Sequence, residues 1–99
     1  MQVQLDSNAA LVRISGEFTF TDHTAFKSLV ERLFEVEGSA IVIDLSRLEF
    51  IDSAGLGMLL LARDEAKKAN RGLILRGPNG QVKRMFDVTR FDTLFAVEE

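Results

Sequence analysis

Cysteine, tryptophan and tyrosine are absent from the 99 residues, and histidine and proline occur once each. Without cysteine the chain has no disulfide, no thiolate nucleophile and no cysteine-ligated zinc. The lone histidine, His23, would need carboxylates alone to complete a metal site, so the sequence predicts neither a metal nor a cofactor. Twelve Lys and Arg against 15 Asp and Glu leave a net charge of −3. The basic residues are scattered, with Lys67, Lys68 and Arg71 near one expected helix end, Arg76 alone, and Lys83 and Arg84 in another helix. That distribution argues against nucleic acid as a partner, because phosphate-backbone binding needs a basic patch. The longest uncharged apolar stretch, Ala54 to Ala62, is about half a membrane span. The segment Met1 to Asp6 has neither a basic nor an apolar leader region, so no secretory signal is expected. A cytoplasmic protein with no membrane partner is the expectation.

Hydrophobic residues make up 46% of the chain and charged residues 27%, enough apolar side chain for one core and one domain over residues 1–99. Eight phenylalanines supply large core groups with no polar atom to satisfy. Alternation of Val3 and Leu5, then of Leu11, Val12 and Ile14, predicts a β-hairpin over 2–15 turning at Ser7-Asn8. Phe26, Leu29, Val30, Leu33 and Phe34 form an apolar stripe at helical spacing, capped by Thr21 or Asp22 and closed at Glu37-Gly38. Ala40 to Leu45 is a short run rich in β-branched residues and predicts a buried strand, followed by a loop over Glu49 to Asp52. A helix then runs from Ser53 to Asn70, with Gly72 as its left-handed terminator. Beyond it lie a strand at Leu73–Leu75, a turn at Gly77-Pro78-Asn79-Gly80, a helix at Gln81–Val88 and a strand at Leu94–Val97. The fold class is α/β: a mixed sheet packed with helices in the order β-β-α-β-α-β-α-β.

The segment Asp52-Ser53-Ala54-Gly55-Leu56-Gly57 is odder than such a fold requires. Ser53 is expected at a helix N-cap, where unpaired N–H groups and the positive end of the helix dipole favour an added phosphate. Two glycines in the first turns cost about 1 kcal/mol each relative to alanine. Either they allow a partner to approach the backbone, or they allow tight helix–strand packing. The third glycine of a dinucleotide fingerprint and the Lys of a P-loop are both missing. No nucleophile-elbow motif accompanies Ser53, so a Ser53–His23 hydrolytic pair has no support and no enzyme activity is expected.

The stretch Ile41-Val42-Ile43-Asp44-Leu45-Ser46, with Phe50-Ile51-Asp52-Ser53-Ala54-Gly55-Leu56-Gly57 after it, resembles the signature of STAS domains of the anti-sigma factor antagonist family. The segments Val82 to Asp87 and Phe91 to Phe95 are similar to the family's third helix and closing strand, so the resemblance spans about residues 3–97. It implies a phosphoprotein working by partner switching in signal transduction and transcription regulation. The unphosphorylated form would bind an anti-sigma factor with serine kinase activity. Phosphorylation of Ser53 would release it, and a PP2C-type phosphatase would reset it. Asp52, Ser53, Ala54, Gly55, Leu56, Gly57 and Met58 would form the partner-binding site of a monomeric protein, with Leu56 and Met58 its exposed apolar residues. Where many members carry Gly-Glu-Leu-Asp, this chain has Gly16-Glu17-Phe18-Thr19-Phe20-Thr21-Asp22-His23, which leaves the partner's identity open. The alternative reading is a non-phosphorylated STAS interaction subunit of a transporter or signalling complex. Phe86, Phe91 and Phe95 are expected in the core, and Arg63 to Lys68 on a solvated helix face with an Asp64–Lys68 pair.

Overall fold

The computed structural model describes residues 1–98 other than Ser7 and Ser39. Strands β1 (Gln2–Asp6) and β2 (Leu11–Phe18) lead through a single 3-10 turn at Phe20–Asp22 into α1 (His23–Glu35). Then follow β3 (Ala40–Ile51), α2 (Ser53–Lys68), β4 (Gly72–Arg76), α3 (Gly80–Thr89), a second 3-10 turn at Phe91–Thr93 and β5 (Ala96–Glu98). The element order is the one the sequence predicts. The sheet has strand order β1-β2-β3-β4-β5, with β1 antiparallel to β2 and every later neighbour parallel. Of the expected hairpin turn at Ser7-Asn8, Ser7 lies outside the described residues; the Asn8 amide donates to the Asp6 carboxylate at 3.0 Å.

Strand alternation sorts the sheet into two faces. Val12, Ile14, Ile41, Ile43, Leu45, Leu73 and Leu75 point inward and join Phe26, Leu29 and Leu33 of α1, Leu56 and Leu59 of α2, and Val82 and Phe86 of α3 in one buried cluster. Within it Phe91 packs tilted against Phe86 and stacked against Phe95, with ring centroids 5.1 and 5.0 Å apart. On the other face Asp44 is buried. Burial alone would raise its pKa, but hydrogen bonds from Ser46 and the guanidinium of Arg13, 3.1 Å away, outweigh burial and hold it below its ordinary 3.8.

Four boundaries differ from the sequence reading. The expected loop over Glu49 to Asp52 is mostly strand, because β2 continues alongside it and pairs Glu17 with Phe50 and Phe18 with Ile51. Helix α2 ends in a Schellman turn built on Asn70 (φ 58°), with Arg71 N donating to Ala66 O and Asn70 N to Lys67 O; Gly72 already belongs to β4. Asp22 occupies the cap position of α1, but its carboxylate accepts from Thr19 N at 2.9 Å, as the third residue of a capping box that Thr19 begins at the 3-10 turn. The last strand starts at Ala96, because residues 91–93 coil into the 3-10 turn that buries Phe91. On the solvated face of α2, Lys68 pairs with Glu65 at 3.5 Å and Asp64 with Arg63 at 3.3 Å, in place of the expected Asp64–Lys68 contact.

Candidate functional site

Strand β3 delivers Ser53 to the carboxyl edge of the sheet, where loops between parallel strands and helices gather functional groups. The delivery is rigid. Gln81, in the first turn of α3, clamps the last residue of β3: its side-chain oxygen accepts from Ile51 N and its amide donates to Ile51 O, both at 2.9 Å. Nothing in the sequence singled out Gln81, since its partner is thirty residues away and is backbone.

The helix cap is Asp52 and not Ser53, which corrects the expectation. Asp52 has extended backbone (φ −100°, ψ 179°), and one carboxylate oxygen accepts from Gly55 N at 2.8 Å. The other oxygen accepts from Phe20 N at 3.2 Å and so ties the 3-10 turn to the start of α2. Both residues are good capping types, and Asp outcompetes Ser here because two oxygens can serve two amides at once. Ser53 is consequently the first helical residue. It is exposed, and its hydroxyl makes no hydrogen bond among the described residues. By position, the N–H groups of Ser53 and Ala54 have no intrahelical acceptor.

The two glycines turn out to have different roles. A Cβ on Gly55 would meet Ile51 Cγ1 at 2.7 Å and the Phe18 carbonyl oxygen at 2.8 Å, so Gly55 lets α2 press against the sheet. Gly57 has open space where a side chain would stand. Leu56 and Met58, expected at an exposed interface, are instead core residues, 6% and 5% exposed. The two point to different sides of α2, and Met58 is covered by α1, beside Phe26 and Val30.

The exposed apolar groups around Ser53 come from elsewhere. Phe20 is 70% exposed and Phe50 is 39% exposed; the amide of Phe20 is itself bound to Asp52, and Phe50 adjoins Ile51, which Gln81 holds. Leu61 (59% exposed) continues the row Ser53–Gly57–Leu61 at spacings of four along α2. Their signals were present in the sequence: residue 50 alternates outward if Ile51 points inward, and 61 lies two turns from 53. His23 is exposed at the start of α1, and no hydrogen bond joins it to Ser53 among the described residues. Among those residues no cluster of three or more His, Asp or Glu is placed to hold a metal ion, and no helix is long and apolar enough to cross a membrane.

The whole arrangement has known counterparts. A STAS-domain containing protein of Pseudomonas aeruginosa (strain UCBPP-PA14) is 32% identical over 92 residues, covering 93% of this chain and 90% of that protein. The crystal structure of an anti-sigma factor antagonist from Mycobacterium paratuberculosis superposes with a TM-score of 0.74 at 28% identity, covering 98% of this chain and 82% of that one. The Bacillus cell fate determinant SpoIIAA, an anti-sigma factor antagonist, shares the fold in its unphosphorylated form (TM-score 0.71, 21% identity, 99% and 86% coverage) and in its phosphorylated form (TM-score 0.62, 19% identity, 97% and 88% coverage). The family model described as "Mlab, STAS domain" matches residues 1–97, and the chain belongs to the STAS domain family, with the fold of the anti-sigma factor antagonists.

Proposed function

We propose that the protein is an anti-sigma factor antagonist switched by phosphorylation of Ser53. The observation that carries this reading is an exposed serine hydroxyl, free of hydrogen bonds among the described residues, at the first position of a helix whose cap is already filled by Asp52. Unphosphorylated, the protein binds an anti-sigma factor with serine kinase activity in the cytoplasm, as a monomer. The docking surface is centred on Asp52, Ser53, Ala54 and Gly57 and flanked by Phe20 and Phe50. Gly55, Leu56 and Met58 support it from beneath. Phosphate on Ser53 adds a charge of about −1.5 to −2 beside the Asp52 carboxylate, which a desolvated interface cannot accommodate, so the partner leaves. A PP2C-type phosphatase restores binding. The N–H groups of Ser53 and Ala54 can receive the phosphate without backbone movement, so the switch acts locally and the domain 1–99 keeps its packing.

The test pairs phosphorylation with calorimetry. Incubation with the cognate kinase and ATP labels the wild type at Ser53 and leaves Ser53→Ala unlabelled. Ser53→Ala keeps partner affinity and Ser53→Asp loses it, while Phe20→Ala weakens binding by about tenfold or more with stability unchanged. Equal binding by Ser53→Asp and wild type would overturn the switch and favour a non-phosphorylated interaction subunit of a transporter or signalling complex. On phosphorylation, amide shifts concentrate at residues 50–58; shifts spreading through the sheet would contradict the local mechanism.

A further inference from the structure

The 3-10 turn at Phe20–Asp22 is held more firmly than its length explains, since a single turn of this kind has few bonds of its own. Asp22 N donates to Thr19 O at 2.9 Å, Thr19 N to the Asp22 carboxylate at 2.9 Å, and Phe20 N to the Asp52 carboxylate at 3.2 Å. The Thr19 and Thr21 hydroxyls add a bond of 3.0 Å. Two of these acceptors are ionised groups, which make the stronger hydrogen bonds. Yet the turn carries Phe20, whose exposed ring joins neither the core cluster nor an aromatic pair among the described residues. The fold fixes the backbone of a side chain that it does not bury.

Capping alone does not account for aspartate at position 52, because Asn and Ser cap helices about as well. A carboxylate differs in having two acceptor oxygens. Asn couples its one oxygen to a donor group, and Ser has a single short hydroxyl. Here one oxygen takes Gly55 N at 2.8 Å and the other takes Phe20 N, 32 residues away in sequence. One side chain thus fixes both the start of α2 and the turn that presents Phe20.

We infer that Asp52 is a positioning residue for recognition: its second oxygen holds Phe20 as a preformed aromatic anchor of the docking surface. The inference rests on the reading that a partner docks over Ser53, and it adds how that surface is kept ready. A side chain held in place before docking gives up less freedom when it docks, and rigid aromatic residues carry a large share of interface energy. Phe20 and the first turn of α2 therefore act as one unit and not as two independent contacts. Asp52 lies on the surface itself, but its main effect on affinity runs through the Phe20 ring.

The test uses the full-length, isotope-labelled protein with Asp52→Asn and Asp52→Ser, which keep a capping side chain and give up the second acceptor. Both variants melt above Asp52→Ala, because the cap survives. In both, hydrogen exchange at the Phe20 amide accelerates about tenfold or more, while the Thr19 amide, held by Asp22, keeps its rate. Calorimetry against the cognate anti-sigma factor, without nucleotide, shows affinity lowered about threefold to tenfold. The loss is the same at low and high salt, because position, unlike the removed charge, is not screened. On a Phe20→Ala background the same substitutions change affinity by less than about twofold. Unchanged exchange at Phe20 would overturn the inference. So would a loss of affinity that vanishes at high salt, or one that persists in full without the Phe20 ring. Every variant keeps Ser53, so these results do not depend on phosphorylation being the switch, which Ser53→Asp reports separately.

Discussion

Gly55 and Gly57 lie two residues apart in one helix, yet replacing each by alanine should move stability in opposite directions. At position 55 the new methyl would meet Ile51 Cγ1 at 2.7 Å and the Phe18 carbonyl oxygen at 2.8 Å. Ile51 is fully buried, and the Phe18 oxygen belongs to a backbone that accepts from Asp52 N at 3.3 Å, so neither can retreat without disturbing the β3–α2 junction. Overpacking of this kind costs about 2–3 kcal/mol where backbone is involved, and the better helix propensity of alanine contributes about 1 kcal/mol the other way. The net loss for Gly55→Ala is about 1–2 kcal/mol. At position 57 no atom lies within 4 Å of the added Cβ, so only the propensity term remains. Gly57→Ala gains up to about 1 kcal/mol. The variants should differ by roughly 1–3 kcal/mol, or about 4–24 °C in Tm for a domain of this size. With no tryptophan or tyrosine to report by fluorescence, urea and thermal unfolding are followed by far-ultraviolet circular dichroism. A Gly55→Ala protein as stable as wild type, or a Gly57→Ala protein below Gly55→Ala, would refute the assignment of close packing to the first glycine and open space to the second.

Three further outcomes follow from the same geometry. Asp52→Ala lowers stability by about 1 kcal/mol through loss of the cap, whereas Ser53→Ala stays within about 0.5 kcal/mol of wild type; equal losses in thermal melts would return the cap to Ser53. Because the folded-state pKa of Asp44 is depressed, its contribution is present above the ordinary 3.8 and disappears as pH falls through the lower folded value. Asp44→Asn should therefore be less stable than wild type by about 1–2 kcal/mol at neutral pH, with the gap closing only below about pH 4; a gap that closed instead between pH 5 and 7 in urea titrations would show that another group is responsible. Gln81→Ala strips both backbone partners from Ile51 and costs about 1–3 kcal/mol. Hydrogen exchange at the Ile51 amide should accelerate more than at Ile43 in the same strand, and unchanged protection at Ile51 would mean that the clamp does not form.

Element order and fold class were legible in the sequence because they follow from local periodicity. The stripe Phe26–Leu29–Leu33 and the apolar run Ile41–Leu45 each have one way to be buried, and the phenylalanines at 86, 91 and 95 have no polar atom to keep them out of the core. The helix start at Ser53 was legible for a similar reason: the run Asp52-Ser53-Ala54-Gly55 carries two good capping types and the unpaired amides of a first turn within four residues. Tertiary structure alone decided what each of those residues faces. Pairing with β2 turned the expected loop at 49–51 into strand and sent Phe50 outward. Contact with the Phe18 carbonyl made Gly55 a packing glycine, and the packing of α1 beside α2 covered Met58. The second oxygen of Asp52 found the Phe20 amide, 32 residues distant, and so took the cap from Ser53. Spacing along a chain specifies which residues share a face, but the direction of that face is set by the element that packs against it.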